Sequence, residues 1–577
     1  MTNKRLGGYY LDKLFPIAFQ WFVLVSVIIL AAFICRAFIL SLLKKPGGAA
    51  AFGRLGPDGA HVSPHEDKSN PGMSNSNSNP GMSNSNSKPG VSNSNSKPGM
   101  FNNNSVCISP QGSSGVLHIE RPIAYHISRD ANRKLFYTVR QSAFWQIIVF
   151  AVATRVLLYG VAYLSSRFII NNGGGFFSSL QYLWQRSDAP HYMAIAENGY
   201  TNVGEDQVFL VFLPFYPLVT RFFSLLFGDI VLSGILVSLI SFALSCALIY
   251  EAALLMGQDE GAAFLSVKYA IIFPASFFVN GSFSEGLFLL LSALFFHLLL
   301  RKKWFAAACF GLLASFTRYY GLLLIVPYAI ECIQDIVSER TVRRPAYAAN
   351  NGQVERLSAQ VGGAGSTSSV GGAGGADGAN YGADGANYID GADGASGASC
   401  ARGADRVGFA AELGRLAPLP LIPAGTALFL IINRIVSGNY FQFTIYQQEH
   451  WNQKISFFFD NMRVLAISAM SYNRSTSASL FIPELVTVIL FIALLAYGVA
   501  SGFRVSMLAY LGVYFLLSIS AFWLLSLPRY IFGAAPVFML MASLGQKNRM
   551  ADAFITFLCV IGLVFFTIAY TCGYRVY

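Results

Sequence analysis

The sequence predicts an all-α polytopic membrane protein with roughly ten to twelve transmembrane helices. Three observations carry this. The 577 residues are 54% hydrophobic and only 12% charged, where a soluble domain carries about 25% charge. Mean hydropathy is +0.49 although two long stretches are poor in large apolar residues. Apolar runs recur outside those stretches, many of them near the about 20 residues a helix needs to cross a bilayer. Backbone amides in lipid must be satisfied within their own segment, so these runs read as helices. A disulfide-rich scaffold, a coiled coil and a soluble nucleic-acid binder are excluded.

The N-terminal membrane segment lies within residues 1–45. Its apolar run, Leu14 to Leu43, is too long for the core of a simple secretory signal, and no small-residue cleavage site follows, so it reads as a retained anchor. Arg36 near its end can snorkel to the interface. A low-complexity insert follows at 46–115. There PGMSNSNSN recurs with a period of nine from Pro71, restarting at Pro80, Pro89 and Pro98. Such repeats have no apolar face to bury and are expected to be disordered. A first membrane bundle spans 142–345 and contains a lumenal loop at 166–207. A second low-complexity segment, at 346–410, reads as a cytoplasmic loop. The second bundle spans 411–577 with a lumenal loop at 436–480.

The net charge of +11 belongs to basic clusters beside apolar runs: Lys44 and Lys45, Arg301 to Lys303, Arg340 to Arg344, Lys547 and Arg549. Cytoplasmic loops carry such clusters, so nucleic acid is not a partner and the bilayer is. Arg121, Arg129, Arg133, Lys134 and Arg140 put the start of the second span in the cytoplasm. The loop after Arg167 then faces the lumen, as do Asn280–Glu285, Arg318, Gly438–Leu480 and Pro528–Arg529. Parity fails once, because three apolar runs separate the first lumenal loop from Asn280. Val208–Phe227, interrupted by Pro214, Pro217 and Arg221, is read as interfacial or re-entrant. Of the eight cysteines, four lie inside apolar runs, and none has CxxC or CxxH spacing. Neither a structural metal nor a disulfide framework is expected. Asn103, Asn280 and Asn473 stand in N-x-S sequons, with Asn473 the most accessible by this topology and Asn103 cytoplasmic. Arg155, inside a span, is expected to face protein or water, and His297 to be a packing residue.

The residues with chemistry gather in the loops assigned to one face. Asp188, His191 and Glu197 follow the second span, and a carboxylate beside a histidine there is a candidate general base. On spacing alone a solvated loop with incidental charges explains them as well. Glu285, Arg318, Arg529 and the Gln447–Trp451 stretch fall on the same side. Ionisable groups at span ends that converge on one face mark a site.

The run Asp188-Ala-Pro-His191-Tyr-Met-Ala-Ile-Ala-Glu197-Asn-Gly-Tyr200, followed by Phe212-Leu-Pro-Phe-Tyr-Pro-Leu218, resembles the signature of the glycosylphosphatidylinositol (GPI) mannosyltransferase II family. Further likenesses follow in order: Thr154-Arg155, Pro274-Ala-Ser276 with Ser284-Glu285, Thr317-Arg-Tyr-Tyr-Gly321, Gln447 to Trp451, and Leu527-Pro-Arg-Tyr530. Ser187 stands where the family usually has Trp, Leu213 replaces a Phe, and Tyr320 replaces an Asn. The resemblance implies a GT-C-like bundle in the endoplasmic-reticulum membrane. It implies an inverting mannosyltransferase that moves the second mannose, in an α-1,6 linkage, from dolichyl-phosphate mannose to a GPI glycolipid precursor.

In that reading Asp188 is the catalytic base, His191 orients it or touches sugar, and Glu197 is an alternative base. Arg318 and Arg529 bind the donor phosphate, or else anchor at the interface. Glu285 pairs with an arginine, or faces a helix dipole. Tyr200, Gln447 and Trp451 contact substrate. No cofactor is expected: the donor carries one phosphate and the chain shows no DxD-like motif, so the reaction is expected to be metal-independent. A small membrane partner subunit is compatible with this reading. Competing readings are another dolichol-phosphate-sugar transferase, a secondary transporter, and a non-catalytic assembly subunit.

Overall fold

The computed structural model describes residues 3–43, 123–341, 412–522 and 524–576. The two low-complexity segments, Asn103, Cys107 and Cys400 lie outside them. The chain divides into one unit of residues 1–52 and 140–577 and another of 53–139. The described part of the second is 123–139, the helical start of α2.

Helices account for nearly all the described structure, and the only β pairing among the described residues is an isolated Ile455–Ala521 bridge. In order, the helices are α1 (Asn3–Leu43), α2 (Ile123–Ile169), α3 (Phe176–Trp184), α4 (Ala189–Asn198), α5 (Phe215–Phe227), α6 (Ile230–Leu255), α7 (Glu260–Ile272), α8 (Glu285–Leu300) and α9 (Trp304–Thr317). There follow α10 (Tyr319–Thr341), which opens with a 3-10 segment, then α11 (Leu421–Ser437), α12 (Gln442–Trp451) and α13 (Phe458–Ser471). The chain ends with α14 (Ile482–Ala500), α15 (Val505–Ile519), α16 (Leu527–Phe532), α17 (Pro536–Lys547) and α18 (Arg549–Thr571).

Seven helices among the described residues are long and apolar enough to cross a bilayer, or nine if each of two bent pairs is one span. The chain is therefore an all-α, multi-pass membrane protein. The expected ten to twelve spans are reached only by adding the shorter apolar helices α8, α9 and α15.

Several expected runs are broken, and proline explains the breaks. The run Ala262–Val279 becomes α7 and then a 3-10 segment from Pro274, with a bend of 68°. Proline drives its preceding residue out of the helical region, and Phe273 has φ −55° and ψ 135°. The run from Tyr530 to Leu544 is interrupted between Phe532 and Pro536, since Pro536 begins a helix readily but cannot donate to a preceding turn. Val208–Phe227 is a 3-10 segment and α5, meeting at 111°. At 13 residues, α5 is about 20 Å long, too short to cross alone. It buries Tyr216, Pro217 and Thr220 and exposes Leu218, Phe222, Leu225 and Leu226. The stretch expected as a lumenal loop at 436–480 is largely helical, and α13 within it packs on α1.

The bundle closes tightly where small residues meet. α6 and α8 pack together, and a Cβ on Gly286 would stand 2.5 Å from the Ser238 carbonyl oxygen. Arg155 is buried, as expected: its guanidinium donates to the carbonyls of Ser276 (2.9 Å) and Ile271 (2.6 Å) and lies over the Phe242 ring. Asn280 is fully buried and donates to the Arg155 carbonyl at 3.0 Å, whereas Asn473 is exposed and caps the turn after α13. Asn473 is therefore accessible in the folded protein, and Asn280 is not.

At the far end of α8, which is about 24 Å long, a second set of charges ties the helices together. Glu331 accepts from both Arg504 nitrogens at 2.6 Å and from Ser506, while Lys302 bridges Glu331 and Asp335. Arg415 joins Asp335 at 3.1 Å.

Gly286→Val should cost about 1–3 kcal/mol, because a branched side chain forces α6 and α8 apart. Detergent-extracted protein should show a lower melting temperature and less monodisperse material than Gly160→Val, whose Cβ meets nothing within 4 Å.

Candidate active site

The site grows from four chain breaks that deliver charge to one place. Ser187 has φ 56°, a left-handed conformation uncommon for a non-glycine residue. It turns the chain from α3 into α4, so that Asp188 occupies the N-cap of α4. Glu285 begins α8 immediately after the turn from Asn280. Arg318 is extended, with φ −150° and ψ 145°, between α9 and α10. Arg529 follows Pro528 in the short α16.

These four residues form one connected ion-pair network. Arg529 Nη1 donates to Asp188 Oδ2 at 2.6 Å, and its Nε donates to Glu285 Oε1. Arg318 Nη1 donates to the same Glu285 oxygen at 2.6 Å and to Ser284 Oγ at 3.1 Å. Tyr192 OH pairs with Ser284 Oγ at 2.9 Å. The Arg529 guanidinium lies over Phe278 and Phe283, 4.7 and 5.1 Å from the ring centroids. Two carboxylates and two guanidinium groups balance, which burial demands.

Accessibility separates the two acids. The Glu285 side chain is 1% exposed and that of Asp188 is 24% exposed. Glu285 therefore organises the arginines, and Asp188 is the acid that a substrate can reach. Asp188 Oδ1 has no hydrogen-bond partner among the described residues. Burial opposes the charge on Arg529, but the Glu285 and Asp188 carboxylates outweigh it and hold its pKa well above the usual guanidinium range. Burial pushes the Tyr192 hydroxyl up to about 12, so it remains a neutral hydrogen-bonding group.

The other expected residues divide. His191 stacks on Phe209 (4.5 Å) and Phe212 (5.4 Å). No hydrogen bond joins it to Asp188 among the described residues. Burial lowers its pKa against the pull of Asp188 and Asp206, so it is neutral at physiological pH. Trp451 meets the edge of Phe212 at 5.9 Å, and Phe212 in turn meets Tyr192 at 5.1 Å. Tyr200 donates to the Phe212 carbonyl at 2.6 Å. These aromatic rings form a wall continuous with the charged network. Gln447, on α12, donates to Gln453 at 2.7 Å. Glu197 does not join: its side chain is exposed at the other end of α4, about 13 Å along the helix from Asp188. Only its carbonyl is engaged, by Arg221 at 3.2 Å.

Sequence reasoning passed over five contributors. Tyr192 and Ser284 are ordinary residues until their neighbours are known. Phe278 and Phe283 act only as ring faces beneath Arg529. Glu484, buried in α14, carried a usable signal: an ionisable residue within an apolar run points to function by default. Tyr320, which departs from the family pattern, stacks between Tyr514 (4.4 Å) and Tyr530 (5.2 Å), so an asparagine there would leave this aromatic packing unfilled.

No protein-family model, no curated protein and no solved structure matches this chain.

Removing Glu285 alone leaves two buried guanidinium groups underpaired. Glu285→Leu should cost about 3–5 kcal/mol of stability. Adding Arg318→Leu should recover part of that cost, whereas independent residues would give additive losses. Thermal unfolding of the single and double variants in nanodiscs measures the coupling.

Proposed function

We propose that this chain is an inverting, GT-C-type mannosyltransferase that adds the second mannose to a GPI precursor at the lumenal face of the endoplasmic reticulum. One observation carries the reading: a reachable carboxylate, Asp188, shares a guanidinium with a fully buried one, Glu285. That arrangement supports a reading in which a base stands beside a bound phosphate. The ordered motif likeness from Thr154 to Tyr530 supplies the sugar, the donor and the acceptor.

The donor is a β-linked mannosyl phosphodiester, and an α product requires inversion. The acceptor hydroxyl attacks the anomeric carbon as the bond from that carbon to the phosphate oxygen breaks. The hydroxyl proton passes to Asp188, and the bonding electrons leave with dolichyl phosphate. Arg529, with Arg318 behind it, meets the phosphate oxygens, because guanidinium matches their geometry. A donor phosphate at Arg529 would compete with Asp188 for the guanidinium charge. Its arrival would free Asp188 Oδ2 for the acceptor hydroxyl. Binding of the donor would thereby prepare the base, and alignment and charge stabilisation supply the remaining catalysis. His191, neutral and stacked on two phenylalanines, fits a sugar-facing role rather than proton transfer. Trp451 and Tyr200 belong to the wall against which a sugar ring would rest. Glu197 takes no part.

Asp188→Asn should reduce transfer by about 10²–10⁴-fold while the protein stays folded, and Glu197→Gln should stay within twofold of wild type. The test is complementation of cells lacking the second mannosyl transfer, together with radiolabelled mannose incorporation into microsomal glycolipid. Full rescue by Asp188→Asn would remove the mechanism, and a transporter would incorporate no label.

A further inference from the structure

Glu484 is a buried acid that the mechanism above leaves unused and that, unlike Glu331, has no ion-pair partner among the described residues. It lies in the first turn of α14, directly after a π-helical segment, Ser477–Phe481. Such single π turns occur often at functional sites. Both Glu484 carboxylate oxygens face one backbone group, the amide of Leu527, at 2.9 and 3.1 Å. The residue is 2% exposed, and an acid buried without a counter-charge is costly to keep.

The amide it holds is next but one to Arg529. Pro528 lies between them with its φ fixed by the ring, so the Leu527 anchor passes directly into the position of the Arg529 backbone. The other end of the segment is held by neighbours: Tyr514 OH donates to the Tyr530 carbonyl at 2.7 Å, and a Cβ on Gly533 would stand 2.7 Å from Phe288. Glu484 and Arg529 also line the same narrow cleft, a cavity of about 20 Å³ with apolar walls including Phe277, Leu480 and Phe566.

We infer that Glu484 is a positioning residue: its bond to the Leu527 amide fixes the segment that presents Arg529 to the phosphate of a polyisoprenyl-phosphate ligand. The ligand half of this inference rests on the reading of Arg529 as a phosphate group's partner; the anchoring half does not. The requirement is for an acceptor atom at that place, not for a charge.

Full-length protein in nanodiscs tests both halves. Glu484→Gln keeps a carbonyl oxygen for the Leu527 amide, and Glu484→Leu removes it at similar volume. Amide hydrogen exchange over residues 525–531 should quicken about tenfold or more in Glu484→Leu and stay at the wild-type rate in Glu484→Gln. Dolichyl phosphate should bind Glu484→Gln as it binds wild type, and Glu484→Leu about tenfold more weakly. On an Arg529→Ala background the two variants should bind alike. If Glu484→Leu does not fold, Glu484→Ser, whose hydroxyl is too short to reach, takes its place in the same comparison. Unchanged exchange in Glu484→Leu, or Glu484→Gln as impaired as Glu484→Leu, overturns the inference. Exchange that behaves as described in a protein that does not bind dolichyl phosphate upholds the anchor and overturns the phosphate reading.

Discussion

The Glu285 carboxylate, shared by Arg318 and Arg529, is the contact on which the rest of this protein's chemistry depends. One buried acid holds two guanidinium groups, and the outer one reaches on to Asp188. Each of these charges would cost several kcal/mol to bury alone. Together they balance, so none can move without disturbing the other three.

Helix breaks, rather than helices, place the four charges. Glu285 follows a proline-started 3-10 segment and a tight turn. Arg318 lies in an extended residue between two helices. Arg529 follows a proline, and Asp188 follows a serine with left-handed backbone. Backbone of this kind is tolerated at membrane depth only where it is buried in protein or lines a cavity. The surrounding aromatic rings serve both ends: Phe278 and Phe283 stabilise the Arg529 cation, and Phe212 carries His191 and Trp451 toward the same opening.

Much of this was legible in the sequence. Apolar run length gave the helical class, and basic clusters assigned Asp188, Glu285, Arg318 and Arg529 to one face. Their actual pairing was not legible, because contacts across 341 residues, as between Asp188 and Arg529, leave no periodic trace. The break at Phe273 could have been read from the rule for residues preceding proline, and the one before Pro536 from its missing N–H, but continuous hydrophobicity hid them. Glu197 stood as an alternative base behind Asp188 because spacing along a helix says nothing of which end faces the site. Glu484 was swallowed by its apolar neighbours. The count of spans stayed above the number of full-length helices because α8, α9 and α15 are apolar yet short.

The central claim is that residues 188 and 529 meet. Asp188→Cys with Arg529→Cys, in a chain lacking its other cysteines and carrying a protease site within 346–410, tests it in native membranes. After treatment with a short thiol-bridging reagent and cleavage, the two halves should stay joined on a non-reducing gel and separate on reduction. Halves that separate without reduction, while a control pair at residues 331 and 504 stays linked, would contradict the account.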